Sequence, residues 1–175
     1  TALHAPGLLH ANDQTGPLRL YAGAGDVSGL TIYSGKSADV AAYRDITDVA
    51  LYIQNVLASD VTRVSAGRDL IAYDPNSALR LAATGLSIGE IGPGSNSPTA
   101  GDIQIAGPGM LEVLAGRDLV LGTVNTGTAA PKDGTAAGIT TVGASRNPYL
   151  PQDSGASIVA AAGLKNTSGS ETVVS

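Results

Sequence analysis

The sequence predicts an all-β protein, a parallel β-helix (solenoid) in which short strands stack as successive coils. An Ala-Gly-Arg-Asp-Leu stretch occurs twice, at 66–70 and 115–119, each time between two short apolar segments. The chain has no Phe and no Trp, so its core must consist of Val, Ile, Leu and Ala, which fit between sheets about 10 Å apart. Abundant glycine, at 23 residues, and only 14% charged residues favour short strands and tight turns over helices.

Alternating apolar residues predict the strands of the first half of the chain. These strands are 18–21, 27–33, 48–55, 61–65 and 70–73. In the strand at 48–55, Val49, Leu51 and Ile53 fall on one face and Tyr52 and Gln54 on the other. Residues 36–47 are more polar, and we expect residues 39–45 to form one helical turn or a loop leaving the coil.

The second half contains further short strands separated by longer insertions. The predicted strands are 79–82, 86–91, 102–106, 110–114, 118–122, 139–142 and 156–164, and the predicted irregular segments are 92–99, 123–138 and 146–151. The organisation is therefore an irregular lead-in at 1–17, a β-helical segment at 18–165 and a polar tail, or the start of the next coil, at 166–175. About 20 residues per coil, with coils about 4.8 Å apart, predict roughly eight coils over about 40 Å.

An antiparallel sandwich or jelly roll is the competing all-β architecture. The repeated corner sequence favours the β-helix, because loops of a sandwich rarely repeat by sequence. Insertions at irregular places between short strands are also typical of a solenoid.

The two Ala-Gly-Arg-Asp copies are predicted to be structural corners. Their residues are Gly67, Arg68, Asp69, Gly116, Arg117 and Asp118. We expect the glycines to adopt positive φ and the aspartates to accept hydrogen bonds from N–H groups inside the bend. The arginines should point outward and pair with acids of adjacent coils. A calcium turn is the alternative, since the stretch at 22–26 approaches a nonapeptide calcium repeat, but no tandem copy follows.

Several stretches together resemble filamentous-haemagglutinin-type exoproteins, the large two-partner-secretion adhesins of Gram-negative bacteria. The resemblance is carried by residues 25–30, 66–70, 100–105, 107–113 and 115–119. It implies a right-handed parallel β-helix, a secreted or surface-exposed rod, adhesion to other cells and no catalysis in the shaft. The partner would be an unidentified cell-surface glycan or protein, together with flanking β-helical coils of the same polypeptide. The irregular spacing of the repeats and the three insertions depart from the family pattern.

Charge and composition exclude some functions. A net charge of −5 provides no basic patch for nucleic acid or an anionic membrane. The absence of cysteine excludes thiolate metal sites, and His4 and His10 have no further ligands nearby, so we expect no metal and no cofactor. The chain begins at Thr1 and shows no signal peptide or transmembrane run, and we expect it to be a segment of a longer polypeptide.

Two alternatives to a purely structural adhesin segment remain open. A polysaccharide-binding or -cleaving β-helix would use clustered carboxylates, for which Asp39, Asp45 and Asp48 with Arg44 are the candidates. These charges are dispersed along predicted loops, so we expect no enzyme. A self-assembling extracellular fibre subunit is the other alternative, because the open ends of a β-helix are unpaired edges that favour end-to-end association.

Tyrosines offer a candidate binding face. Tyr33, Tyr52 and Tyr73 occupy outward positions of their strands, and we expect them to form an aromatic ladder if they stack on successive coils. Such a ladder either stabilises the strands or provides a platform for sugars or proteins.

Overall fold

The computed structural model describes residues 16–74, 101–121, 138–143 and 155–164. Several sequence-based predictions lie outside these residues. They are most of the lead-in at 1–17 with its two histidines, the strands at 79–82 and 86–91, the irregular segments at 92–99 and 146–151, most of the segment at 123–138, and the tail at 166–175.

Every regular element in the described part of the chain is a β-strand, so the prediction of an all-β protein is confirmed. The strands are β1 (Leu18–Ala22), β2 (Val27–Ser34), β3 (Ala38–Ala42), β4 (Ile46–Gln54), β5 (Val61–Ala66), β6 (Leu70–Ile71), β7 (Asp102–Ala106), β8 (Met110–Ala115), β9 (Leu119–Val120), β10 (Gly138–Gly143) and β11 (Ser157–Ala161). None of the described segments is a helix that could cross a membrane.

The strands form two sheets in which every described pairing is parallel. The first sheet has the order β1-β3-β5-β8-β11. The second has the order β10-β7-β4-β6-β9, and β2 pairs with the other edge of β4. Sandwiches and jelly rolls are antiparallel, so the described pairings differ from those of the competing architecture.

Consecutive strands alternate between the two sheets from β1 to β5. Later, β6 and β7 both lie in the second sheet, where β6 pairs with the first half of β4 and β7 with its second half. β9 and β10 continue these two positions, since they pair with β6 and β7 respectively. The two short strands β6 and β7 thus lie one after the other along the same edge of the long strand β4.

The spacing between stacked strands is irregular and often longer than expected. Ala38 and Thr62, which are linked on neighbouring strands of the first sheet, are 24 residues apart. Arg63 and its partner Glu112 on the next strand are 49 residues apart. The first sheet contains only five described strands. The expected spacing of about 20 residues is therefore wrong for β5 and β8, whereas the expected number of about eight coils includes strands that lie outside the described residues.

The core is a stack of small aliphatic side chains between the two sheets. In the first sheet, Leu20, Val40, Val64 and Val113 lie opposite one another in register, and the last three are fully buried. The second sheet contributes a matching set of buried residues at Ile46, Val49, Leu51, Ile53, Leu70, Ile103 and Ile105. Stacking residues of similar volume in register fills a narrow interior without aromatic side chains.

β3 corrects the prediction of a helical turn or loop at residues 39–45. Ala38, Val40 and Ala42 point inward and are buried, and β3 pairs with β1 and β5 along its length. Alanine has low β propensity, so this segment carries little local signal. Pairing on both edges and burial override that propensity, as commonly happens in sheets.

β2 and β4 share an in-register kink. Ser28 pairs with Thr47 and Leu30 pairs with Val49, so Gly29 lies opposite Asp48. Both kink residues adopt positive φ, 67° for Gly29 and 50° for Asp48. Asp48 is buried, and its Oδ1 accepts a hydrogen bond of 3.1 Å from the N–H of Asp74. The kink residue interrupts the alternation of inward and outward side chains in β4. As a result, the apolar residues Ile46 and Val49 both face the interior, one before the kink and one after it.

A polar cluster lies in the interior beside the β4–β5 connection. Asn55 is fully buried; its Oδ1 accepts a 2.7 Å hydrogen bond from the Thr62 hydroxyl, and its Nδ2 donates to the carbonyl of Met110 at 3.1 Å. The Thr62 hydroxyl in turn accepts the N–H of Ala38 at 3.2 Å. These bonds connect β3, β5 and β8 through side chains as well as through the sheet.

Candidate functional site

The two Ala-Gly-Arg-Asp copies lie opposite each other. Ala66 pairs with Ala115 and Leu70 with Leu119, which places the residues between them at equivalent positions. Two more segments join the same stack, because Ala22 pairs with Ala42 and Ala42 with Ala66. We call the four segments 22–26, 42–45, 66–69 and 115–118 the corners.

Each described arginine of the corners reaches back to the aspartate of the preceding corner. Arg44 Nε lies 3.2 Å from an oxygen of Asp26. Arg68 binds Asp45 through two nitrogens, with its Nε at 3.0 Å. Arg117 binds Asp69 in the same bidentate way, with its Nε at 2.7 Å. We call this series of pairs the corner ladder. The bidentate geometry is the strongest form of such a pair.

The aspartates also accept backbone hydrogen bonds, but from the next corner rather than from their own bend. Asp26 accepts the N–H of Asp45 at 3.1 Å, Asp45 accepts that of Asp69 at 3.1 Å, and Asp69 accepts that of Asp118 at 3.3 Å. The expectation of hydrogen bonds inside a single bend is therefore wrong for Asp69. Its carboxylate links two corners that are 48 to 49 residues apart in sequence.

Gly67 is required for a different reason from the one expected. Neither Gly67 nor Gly116 is among the residues with positive φ. A Cβ atom on Gly67 would lie 2.1 Å from the carbonyl oxygen of Tyr43 in the preceding corner. The Gly67 N–H donates to the carbonyl of Ala42 at 2.9 Å, so the two backbones are in direct contact. The glycine allows this close approach.

The ladder shifts the titration of its carboxyl groups. The hydrogen bonds from Arg117 lower the pKa of Asp69, and this effect outweighs burial, which raises it. For Asp45, burial raises the pKa, but the bonds from Arg68 and from the N–H of Asp69 bring it below its ordinary value. These ionised and fully engaged carboxylates are poorly suited to accept a proton in catalysis. The corner ladder therefore joins successive corners of the described chain through ionised carboxylates.

The ladder ends at the fourth corner in the described chain. Asp118 has a side chain that is 70% exposed. Beyond β11 the backbone pattern changes: Gly163 has φ of 70°, its N–H donates to the carbonyl of Arg117, and the N–H of Leu164 donates to that of Ala115. At the fourth corner, by contrast, the N–H of Gly116 donates to the carbonyl of Ala66 in the preceding corner.

The carboxylates considered for polysaccharide chemistry are not brought together. Asp39 lies on the outer face of the first sheet and accepts a 2.7 Å hydrogen bond from the Tyr21 hydroxyl. Asp45 belongs to the corner ladder with Arg68, and Asp48 is buried at the kink. Within the described ranges no group of three or more acidic, His or Cys side chains could hold a metal ion.

The outer face of the first sheet carries a second charge series that the sequence analysis missed. Arg19, Asp39, Arg63 and Glu112 lie opposite one another on successive strands, so their charges alternate in sign. Arg63 Nε lies 2.8 Å from Glu112. The strand pattern would have revealed this series only if the pairing register had been known.

Two of the three predicted tyrosines meet on the outer face of the second sheet. Tyr33 pairs with Tyr52, and their rings stack with centroids 5.0 Å apart and planes 15° apart. The next position in register is Gln104. Tyr73 lies elsewhere, against Gly101, where an added Cβ would be 2.7 Å from the Tyr73 Cβ. The structure thus contains a stacked pair in place of the expected three-ring ladder.

Polar groups fix the inner ring of this pair. The hydroxyl of Tyr52 donates to Asp102 Oδ2 at 3.2 Å. Asp102 and Gln104 are 3% and 8% exposed, whereas Tyr33 is 68% exposed. We call Tyr33 and Tyr52, with Asp102 and Gln104, the tyrosine platform. The alternation Asp-Ile-Gln-Ile at 102–105 already indicated that the two polar residues share a face, but the sequence did not indicate their proximity to the tyrosines.

The corner ladder thus lies along the stacked corners, and the tyrosine platform lies on the outer face of the second sheet. No protein-family model, no curated protein and no solved structure matches this chain.

Proposed function

We propose that this chain is a segment of a right-handed parallel β-helix in a large secreted, filamentous-haemagglutinin-type adhesin. Its role is to extend a surface-exposed rod and to present contact sites along it, without catalysis. The observation that carries the proposal is the in-register stack of four corners, in which each arginine binds the aspartate of the corner before it.

The strand order supports the β-helical part of the proposal. When a chain alternates between two sheets and every pairing is parallel, each new strand is added beside the previous strand of its sheet and runs in the same direction. Parallel crossover connections are right-handed in nearly all known cases. Each return adds about 4.8 Å to the stack. Many such returns in a longer polypeptide make a rod.

The contacts between corners support a role in extending the rod. They are the same whether the partners are 23 residues apart, as in Arg68 and Asp45, or 48 residues apart, as in Arg117 and Asp69. A scaffold of this kind keeps its cross-section while insertions of different length are added. Surface insertions on a rigid scaffold are the usual location of binding sites.

The placement of the acidic residues supports contact over catalysis. Glycoside cleavage by the common mechanisms needs two carboxyl groups facing one another across the substrate. Asp45 is held by Arg68, Asp48 is buried, and Asp39 lies on the first sheet with Tyr21.

Binding of the fluorescently labelled chain to cells tests this function. We expect saturable binding to the surface of at least one bacterial or epithelial cell type, competed by unlabelled chain. The chain is also incubated with polysaccharides while reducing ends are measured. Release of reducing ends without saturable cell binding would overturn the proposal in favour of a polysaccharide-cleaving β-helix.

Self-assembly into a fibre is a second candidate, favoured by exposed apolar residues on β11, where Ile158 and Val159 are 38% and 43% exposed. Exposed apolar edges favour pairing with another chain. Sedimentation velocity over a hundredfold concentration range tests it: growing species support the fibre, and a constant monomer contradicts it.

A further inference from the structure

We propose that the kink shared by β2 and β4 marks a branch point of the coil, a position at which the chain can leave the stack and return without disturbing the strand pairing on either side. Asp48 is the residue that positions the chain where it leaves. Segments added there leave the rod on the side of the second sheet. This specifies where segments for the contact function proposed above are attached, and it rests on that function for its biological setting.

The pairing along one edge of β4 is interrupted at the kink. β6 pairs with β4 as far as Thr47, and β7 resumes the pairing at Leu51. The kink residue Asp48 lies at the start of this interruption, and its φ of 50° is uncommon for a residue other than glycine. The connection at 72–101 therefore starts and ends at the kink, between two strands that lie end to end along β4.

The next pair of strands is interrupted at the same place. β9 ends at Val120, opposite Ile71 of β6, and β10 begins at Gly138, opposite Asp102 of β7. The connection at 121–137 thus starts and ends beside the connection before it. Two connections of different length at one position in register indicate a property of the position and not of either connection.

The two ends of the first connection lie in contact. A Cβ on Gly101 would be 2.7 Å from the Cβ of Tyr73 and 3.3 Å from the carbonyl oxygen of Ala72. Gly101 also has a φ of 81°, so glycine suits both the backbone conformation and the close approach. A loop whose ends are in contact can vary in length at little cost, because the entropy of loop closure rises only slowly with the number of residues.

Hydrogen bonds hold the departing chain to the strands on both sides. The Ala72 carbonyl accepts the N–H of Val49 at 3.2 Å, and the Ala72 N–H donates to the carbonyl of Val120 at 3.3 Å. Two residues further on, the N–H of Asp74 donates to Asp48 Oδ1 at 3.1 Å. Asp48 is 1% exposed, so its carboxylate lies at the base of the connection and not on the surface. Asp48 is therefore a positioning residue for the departing chain.

β2 contains the same position without a connection. Gly29 lies opposite Asp48 and has a φ of 67°, and the regular pairing of β2 with β4 stops before it and resumes after it. A segment added after Gly29 should therefore split β2 into two short strands. Both strands should keep their register with β4, as β6 and β7 do.

The test inserts a short Gly-Ser segment after Gly29 and, as the matched control, the same segment after Thr31 of the same strand. We expect the control to lower the urea midpoint at least about twice as much. It opens the regular pairing between Thr31 and Ile32, whereas that pairing is already broken at Gly29. Nuclear Overhauser contacts between the stacked rings of Tyr33 and Tyr52 should persist in the Gly29 variant.

Amide exchange measured by NMR tests the role of Asp48. Asp48→Gly tolerates the positive φ but removes the acceptor of the Asp74 N–H. The Asp74 amide should then exchange at least about tenfold faster relative to the Asp69 amide, which donates to Asp45 in the corner ladder. Asp48→Asn keeps an oxygen acceptor and tolerates this φ, so it should retain slow exchange. An unchanged rate in Asp48→Gly, or fast exchange in both variants, would overturn the positioning role.

Different outcomes separate the branch point from the proposed function. Equal lowering of the urea midpoint by the two insertions, or loss of the ring contacts in the Gly29 variant, would overturn the branch point. If the unmodified labelled chain still bound cells, the adhesin proposal would stand. If the insertions behaved as expected and the labelled chain bound no cell surface, the branch point would be retained and the adhesin role lost.

Discussion

The second position of the corners is occupied by Gly23, Tyr43, Gly67 and Gly116. Gly67 is confined by the carbonyl of Tyr43, which would be 2.1 Å from its Cβ, whereas a Cβ on Gly23 would meet nothing within 4 Å. The first corner has one residue more than the others, so its backbone follows a different path. The same residue type is therefore essential in one corner and replaceable in another.

Replacement of Gly67 by alanine should be strongly destabilising. The added Cβ requires the backbone of one corner to move away from the other, and we expect the free energy of unfolding to fall by about 2–4 kcal/mol. Urea unfolding followed by far-UV circular dichroism measures it. Gly23→Ala is the matched control and should change stability by less than about 0.5 kcal/mol. Equal effects of the two substitutions would contradict the assigned role of Gly67.

Replacement of the buried Asn55 by leucine should also destabilise the fold. It leaves the Thr62 hydroxyl and the Met110 carbonyl without this side-chain partner. We expect a loss of about 2–4 kcal/mol, because buried groups that lose a partner keep their full desolvation cost. A double-mutant cycle with Thr62→Val, measured by urea unfolding, should give a coupling of at least about 0.5 kcal/mol. Strict additivity would show that the two side chains do not act together.

At the scale of the elements, the corner ladder makes stability depend on pH in acid. The pKa values of Asp45 and Asp69 are lowered in the folded chain. Since their unfolded values are about 3.9, the unfolded chain takes up protons first as the pH falls. The contribution of the ladder is therefore fully present above about pH 4 and is lost as the pH falls through the folded pKa values.

The urea midpoint between pH 7 and pH 2.5 checks this dependence. We expect Asp69→Asn to lower the midpoint at pH 7 and to make its fall in acid shallower than in the unmodified chain. Asp118→Asn is the control, since the Asp118 side chain is 70% exposed and its nearest arginine contact, to Arg117 Nε, is 3.9 Å long. It should leave the acid profile almost unchanged. A parallel acid profile for Asp69→Asn would contradict the ladder as its cause.

The elements differ in how well their sequence predicts them. Strands with alternating Val, Ile and Leu, such as β4 and β8, were predicted within a few residues. β3 was missed because its inward residues include two alanines, and its stability comes from partners on both edges. The corner at 42–45 was missed because Tyr43 replaces the glycine of the repeat. Its Ala, Arg and Asp still stood at the right spacing, which was the signal that could have found it.

The tyrosine platform shows a limit of the same kind. Outward phase on a strand could be read for Tyr33 and Tyr52, but not which residue follows them in register. The second sheet continues from β4 through two short strands, and β7 brings Gln104 to the position where Tyr73 was expected. Register of this type depends on how the chain crosses between sheets, which local sequence does not encode.

For the whole molecule, the sequence predicted an all-β chain, and the parallel pairing excludes the sandwich for the described residues. The expected spacing was wrong for the later described strands. A spacing of about 20 residues holds between β1 and β3 and between β2 and β4, whereas β5 and β8 are 49 residues apart. The sequence of the corners repeats, but the number of residues between them does not.

Amide hydrogen exchange should show which part of the stack is most stable. β5 has hydrogen-bonded neighbours on both edges and contains the fully buried Val64, so its amides should exchange slowest together with those of β4. β11 has one described neighbour and four exposed residues, and its amides should exchange at least about a hundredfold faster. Mass spectrometry of peptic fragments measures this. Uniform protection across the stack would indicate that the sheets open only as a single unit.

The contacts of the corner ladder join Asp69 to a residue 48 positions later as readily as they join Asp45 to one 23 positions later. Each finished corner presents a carboxylate and backbone carbonyls to whichever segment comes next. The contacts between corners therefore do not depend on the length of chain that separates the two partners. A foreign sequence could therefore be inserted between β6 and β7 without changing which arginine pairs with which aspartate at the corners.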